Sequence, residues 1–160
     1  MLDQIVRAGD RGIDHGNLRP WRVVLLDDRD RLADAFEAAA RELTDAADQS
    51  AITNARQRAL DGPVVLALVA RLFPGHPEVH EHEQWMAVGA ATQQMLLAAE
   101  ALGFAGSMLS GRKTRSSALR TTLNLAEQDS LVGFLTFGTA DPSPDFDHPP
   151  SGRPALTRWP

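Results

Sequence analysis

Four side chains able to make directional hydrogen bonds crowd into HGNLRPWR, His15–Arg22: His15, Asn17, Arg19 and Arg22. Asparagine supplies both a donor and an acceptor, and histidine and arginine add donors. Together they could read the edge of a heteroaromatic ring that carries carbonyls and an N–H. The same residues also make a good turn, because Gly16-Asn17 favours reversal and Pro20 stiffens it. Residue types alone leave both readings open.

A second candidate is GFAGSMLSG, Gly103–Gly111. Its glycines leave backbone that a flat ligand can approach closely. It has neither the Walker pattern nor the G-x-G-x-x-G fingerprint, and a plain helix-to-strand connector is the alternative. In HPEVHEHE, the residues His76, His80 and His82 with nearby glutamates suit zinc or nickel by type. There is no HExxH, and the run lies in a Pro-containing loop before a helix, so it reads as an exposed loop leading into an acidic helix start. No metal is expected. Arg153 in SGRPALTRWP could close over a phosphate, or be solvated tail charge. Ser110, Ser116 and Ser117 lie in no G-x-S-x-G and read as caps and turns.

The elements that must position these residues can be read from periodicity. Met1–Ala8 is a short helix with an apolar face at Leu2, Ile5 and Val6. Arg22–Leu26 is a strand ended by the acidic turn DDRD. Arg29–Ala46 is an amphipathic helix through Leu32, Ala35, Phe36, Ala39, Ala40 and Leu43. Ala47–Asp61 is polar and helical in part. Val64–Ala70 reads as a fully apolar strand. Glu83–Leu102 is a long helix, apolar nearly all round and therefore expected to be central, with Gly103 as its stop. Phe104–Gly111 is a loop or short strand, and Ser116–Leu125 a short helix capped by Ser116 or Ser117. Leu131–Gly138 is a strand. Residues 139–160 form a tail rich in Pro, Asp and Gly, expected to be irregular. Apolar strands separated by helices indicate an α/β or α+β fold with a covered sheet.

The chain's 160 residues suit one domain, and 43% hydrophobic with 23% charged residues is ordinary for a soluble globular protein. A net charge of −5 argues against a nonspecific grip on nucleic acid. The absence of cysteine removes disulfides and thiolate chemistry. The start MLDQIVRAGD carries acids and no long apolar core, so no signal peptide is expected. Gly, Thr, Gln and Glu interrupt the apolar stretch Trp85–Leu102, so no membrane span is expected and a cytoplasmic location is.

The order of these segments resembles the FMN-dependent nitroreductase family, particularly its small single-domain members. LDQIVRAGDRGIDHGNLRPWRVVLL is similar to the family's helix, "ApdHgNlrPW" loop and strand. HEQWMAVGAATQQMLLAAEALGFAGSMLSG is similar to its long central helix and "GlGs.w.tG" loop. EQDSLVGFLTFGTADP is similar to its "e.e.vvGflyiGtp" segment, and a late arginine, Arg153, follows. The resemblance covers nearly the whole chain. It implies an α+β, three-layer α/β/α sandwich with a mostly antiparallel central sheet, completed across a homodimer with one FMN per interface. It also implies hydride transfer from NAD(P)H through FMN to nitroaromatics, quinones or similar small acceptors, in a ping-pong scheme.

Position by position, the resemblance assigns Asn17 to the pyrimidine side of the flavin and His15 to the ribityl or ring edge. It puts Arg19 near the cofactor and Met108 and Leu109 over the ring face. Ser107, Ser110 and Gly111 offer backbone or hydroxyl contacts, and Arg153 binds the phosphate. Trp21 is expected to pin the loop to the core. No side-chain nucleophile or base is required, and a proton can come from water or Ser110.

One departure is large. The family usually carries an N-terminal Arg-Arg-Ser-x-Arg segment whose cations bind the FMN phosphate, and the sequence starts after that point. Two readings follow: the start is assigned too late and the protein is longer, or the truncation is real, in which case two lost charge-assisted contacts, at roughly 1.5–3 kcal/mol each, would turn a tightly held flavin into a weakly held one. The alternative expectation is therefore a flavin-free or weakly flavin-binding relative that acts as a ligand-binding or regulatory protein.

Overall fold

The computed structural model describes residues 1–43 and 48–140. Its elements run α1 (Leu2–Ala8), β1 (Trp21–Leu25), α2 (Arg29–Leu43), α3 (Gln49–Leu60), β2 (Val64–Arg71), α4 (Glu81–Ala101), β3 (Ala105–Leu109), α5 (Ser117–Thr122) and β4 (Asp129–Gly138). The four strands form one antiparallel sheet in the order β1-β2-β4-β3.

Strand alternation sorts the core into two layers. Val65, Ala67 and Val69 of β2 face Leu32, Phe36 and Ala39 of α2, Ala59 of α3 and Leu119 of α5. Leu66, Leu68 and Ala70 face the other way, onto Ile5 of α1 and Val88, Ala91, Met95 and Ala99 of α4. Helices therefore cover both faces, and the α+β three-layer sandwich is observed. β2 reads as a continuous apolar run because it is buried on both sides. Trp21 joins the α4 layer, as expected of the residue that pins the loop.

Several boundaries differ from the sequence expectation for local reasons. The 47–61 segment, expected to be helical in part, is a full helix from Gln49. The Asp48 carboxylate accepts from Ala51 N at 3.0 Å and starts it. Phe104–Gly111, left between loop and strand, pairs with β4 over Ala105–Leu109. The α4 helix begins two residues early, at Glu81, because the Glu83 carboxylate reaches back to the His80 N–H at 2.9 Å. Ser116 is the α5 cap, accepting from Leu119 N at 3.1 Å. The long helix is not enclosed: Trp85, Met86 and Leu97 are exposed at 42%, 55% and 47%. It lies on the sheet and turns an apolar face outward. The expected irregular tail lies outside the described residues beyond Ala140. No helix among the described residues is long and apolar enough to cross a membrane.

Candidate functional site

The loop between α1 and β1 is held tightly against α4. Gly12 makes this approach possible, since a Cβ there would stand 2.8 Å from Ala91 N and 2.9 Å from Ala90 C. The loop then turns through three positive φ values within four residues: Gly16 at 75°, Asn17 at 51° and Arg19 at 47°. Two left-handed non-glycine residues so close together store strain, and such strain clusters at ligand sites. The Asp14 carboxylate offsets it by accepting from Arg19 N at 2.7 Å.

The charges around this loop are largely paired. His15 Nδ1 lies 2.8 Å from Glu83 Oε1, while the other oxygen of Glu83 holds the start of α4. The backbone N–H of His80 and the His15 ring keep the Glu83 carboxyl below its ordinary pKa. Arg19 Nε lies 3.0 Å from Asp10 Oδ1, so its charge is already met. The Asn17 carboxamide has no hydrogen-bond partner among the described residues and is exposed. It is the loop's available donor and acceptor.

Arg22 does not belong to this group, contrary to its grouping with His15, Asn17 and Arg19 in sequence. It alternates to the other face of β1 from Trp21, and its Nη2 donates to Asp129 Oδ2 at 2.9 Å. Arg71 grips the same buried carboxylate through Nε at 2.7 Å and Nη2 at 3.0 Å, and Ala126 N donates at 3.1 Å. These donors hold Asp129 far below the usual carboxylate range. The pattern hides in sequence because Arg22, Arg71 and Asp129 are far apart along the chain.

The second segment forms the other candidate surface. Met108 projects toward the α4 layer. It lines a cleft of about 440 Å³ with Trp85, Val88, Gly89, Leu96 and Val132. Leu109 alternates to the opposite face, beside Phe134 in the ladder. Met108 and Leu109 therefore present their side chains to opposite faces of the sheet. Ser107 lies within the strand, paired with Thr136. The Ser110 hydroxyl donates to Val132 O at 2.8 Å, where a bulge in β4 leaves that carbonyl off the ladder. Gly111, at φ 121° and ψ −167°, adopts a backbone open essentially only to glycine, with nothing within 4 Å of where a Cβ would stand. Arg153 lies outside the described residues.

The two surfaces do not meet within one chain. The loop touches α4 at Glu83, Ala87, Ala90 and Ala91. The Met108 cleft touches it at Trp85, Gly89, Thr92 and Leu96. At about 100° per residue these sets lie on opposite flanks of the helix. The cavity at the loop itself, beside Asn17, Trp21 and Ala87, holds only about 70 Å³, well short of the ~300 Å³ at which cofactor pockets begin.

Histidines 76, 80 and 82 have local duties. His76 Nδ1 accepts from Val79 N at 3.1 Å, and His80 and His82 stack at the start of α4. Gln84, which sequence reading passed over, is buried and pins the preceding loop: its amide bonds both the N–H and C=O of Phe73 and the Val79 carbonyl.

Residues 1–139 match the Nitroreductase family. The chain belongs to that family. Relatives include the Escherichia coli (strain K12) protein named "Putative NAD(P)H nitroreductase YdjA". It is 36% identical over 140 residues, covering 86% of this chain and 75% of the relative. A Haemophilus influenzae protein named as an NAD(P)H nitroreductase of the same standing is 31% identical over equal coverage. Among solved structures, a nitroreductase-like family protein from Bacillus cereus superposes with a TM-score of 0.77 at 20% identity, over 98% of this chain and 79% of the other. The FMN and NADPH-dependent nitroreductase NfnB from sphigopyxis sp. strain HMH gives 0.67 at 21% identity, over 88% and 78%. These two show that the nitroreductase fold is shared.

Proposed function

We propose that this chain is an NAD(P)H-dependent oxidoreductase. In this reading it holds FMN at the boundary between two copies of itself and passes electrons to nitroaromatic, quinone or similar small acceptors. The observation that carries the reading is the placement of the loop and the Met108 cleft on opposite flanks of α4. Two copies meeting along the outer face of α4 would bring the Asn17 loop of one beside the β3 edge of the other. Trp85, Met86 and Leu97 favour such a meeting, because their exposed apolar surface gains by leaving water. The names of the relatives support NAD(P)H as donor, and the FMN and NADPH-dependent nitroreductase NfnB of like fold supports FMN as cofactor.

The donor set fits a flavin. The Asn17 carboxamide matches a ring edge of alternating carbonyl and N–H groups. Met108 offers an apolar, polarizable side chain for the ring face, and Gly111 leaves open space for close approach. Ser107 and His15 would line the edge, and Arg153 would meet the phosphate. When bound, FMN would supply the hydride chemistry between NAD(P)H and the acceptor, and Asn17, Met108, Ser107, His15 and Arg153 would hold it.

The protein's own contribution is position and electrostatics. Donors at Asn17 would stabilise negative charge on the ring's carbonyl edge. Arg19, already paired with Asp10, shapes the loop and adds little net charge. Ser110 gives its proton to Val132 O, so water is the proton source for the acceptor. Replacing Asn17 with Ala tests the assignment. The expected result is weaker FMN retention with a small drop in melting temperature, since Ala tolerates the left-handed φ of 51° less well than Asn; unchanged flavin content and turnover would remove Asn17 from the site.

A further inference from the structure

A further hollow lies on the other face of the sheet. It opens where the end of β1, the first turn of α2 and the end of α5 meet. Its volume is about 280 Å³, close to the ~300 Å³ at which small-molecule sites begin. Leu32 of the α2 layer lines it, with Val24, Leu26 and Leu123, which pack against that layer. It shares no lining residue with the Asn17 loop or the Met108 cleft, so it stands apart from the flavin reading.

The mouth of the hollow carries charge of both signs. Arg31, Asp27 and Asn124 line it, and all three are exposed. Arg31 Nη2 donates to Thr122 O at 3.2 Å, which keeps the guanidinium at this junction. Among the described residues no carboxylate pairs with it, Asp27 included. Asp28 is engaged elsewhere: its Oδ1 accepts from Arg31 N at 2.9 Å and caps α2. The Asp27 carboxylate and the Asn124 carboxamide have no hydrogen-bond partner among the described residues.

This combination selects among ligands. An apolar carboxylic acid could meet Arg31 but would bring its charge against Asp27. An apolar amine could meet Asp27 but would be repelled by Arg31. A ligand that carries both charges on one carbon satisfies both groups. We propose that the hollow binds an apolar α-amino acid of the size of leucine or phenylalanine. Its carboxylate meets Arg31 and its ammonium meets Asp27. The Asn124 carboxamide donates to the first or accepts from the second. Its side chain leaves water against Val24, Leu32 and Leu123.

The test titrates the full chain by isothermal calorimetry with L-leucine and L-phenylalanine. Isocaproate, which lacks the ammonium, and leucinamide, which lacks the carboxylate, are the matched probes. Saturable binding of at least one amino acid is expected. Isocaproate and leucinamide should bind roughly tenfold more weakly than leucine, the loss of one charge-assisted contact. Arg31→Gln should weaken leucine to a similar degree while leaving leucinamide no worse than in wild type. Asp27→Asn should do the same toward leucine and isocaproate. Both changes lie at the exposed mouth, and melting curves check that each variant is folded. No saturable binding of either amino acid at millimolar concentration would overturn the proposal. So would isocaproate binding as tightly as leucine, since the hollow would then be a site for apolar acids. Self-association abolished by Leu25→Asp, with no amino acid bound, would overturn it in favour of an interface between copies.

Discussion

His15 Nδ1 stands 2.8 Å from Glu83 Oε1, so the residue that opens the Asn17 loop is tied to the first turn of the long helix. Glu83 thus serves two elements at once, as helix cap through His80 N–H and as anchor for the loop. Glu83→Ala should lower stability through the lost capping-box bond to the His80 N–H, measured by urea unfolding. It should also weaken FMN retention, a second effect that a cap alone would not produce.

The same pair predicts a pH response. The Glu83 carboxyl is lowered from its ordinary value of 4.5 in the fold. A depressed carboxyl contributes stability that is fully present above its unfolded value and is lost as pH falls through its folded one. Wild type should therefore lose stability relative to Glu83→Gln as pH drops below about 4.5. Melting curves of both proteins between pH 6 and pH 3, as rough limits set by that range, check the sign.

Asp129 joins three elements through Arg22, Arg71 and Ala126 N. Asp129→Asn keeps the shape but removes the charge that receives two guanidinium groups. The expected loss is about 2–3 kcal/mol, the upper range for hydrogen bonds to charged groups, because the carboxylate is fully buried while the arginines remain partly in water. A lower urea midpoint at an unchanged slope is the predicted signature.

Lys113 predicts a pH trend of the same sign in a higher range. Its amine is lowered to about 8 in the fold, whereas an unfolded lysine titrates near 10.4. Between these values the unfolded chain binds more protons, so this residue makes stability rise with pH. The Lys113→Met variant lacks that term. Its melting temperature relative to wild type should fall steadily from about pH 8 to about pH 10, as measured by scanning calorimetry.

Much of the fold is legible from the sequence because it is encoded locally. The alternate faces of β2 are both apolar, Leu32–Ala39 recurs at helical spacing, and Ser116 caps α5 as its type suggests. The boundary errors come from side chains acting at a distance of a few residues, as when Glu83 extends α4 back to Glu81. The candidate site is only half legible. HGNLRPWR and GSMLSG stand out by type, yet Arg22 leaves the group by strand alternation and Leu109 turns away from Met108 for the same reason. Glu83, the residue that anchors His15, is distant in sequence and sits among histidines that suggest a different chemistry. The outward apolar face of α4 is visible in sequence only as a helix hydrophobic all round, which reads as burial within one chain. The fold shows that this face is exposed.

Gly12→Ala addresses the contact that holds the loop to α4. The added methyl meets helix backbone at 2.8 and 2.9 Å, and backbone cannot swing aside as a side chain can. A loss of about 1–3 kcal/mol is expected for such overpacking. Flavin retention should fall with it, since Asn17 would move away from its place beside the helix.

The central claim is tested most directly by the visible absorbance spectrum of the purified chain after incubation with FMN and desalting, followed by anaerobic addition of NADPH. The account predicts that flavin bands stay with the protein and bleach on NADPH. A colourless protein after desalting, or bound flavin that NADPH does not bleach, would contradict it.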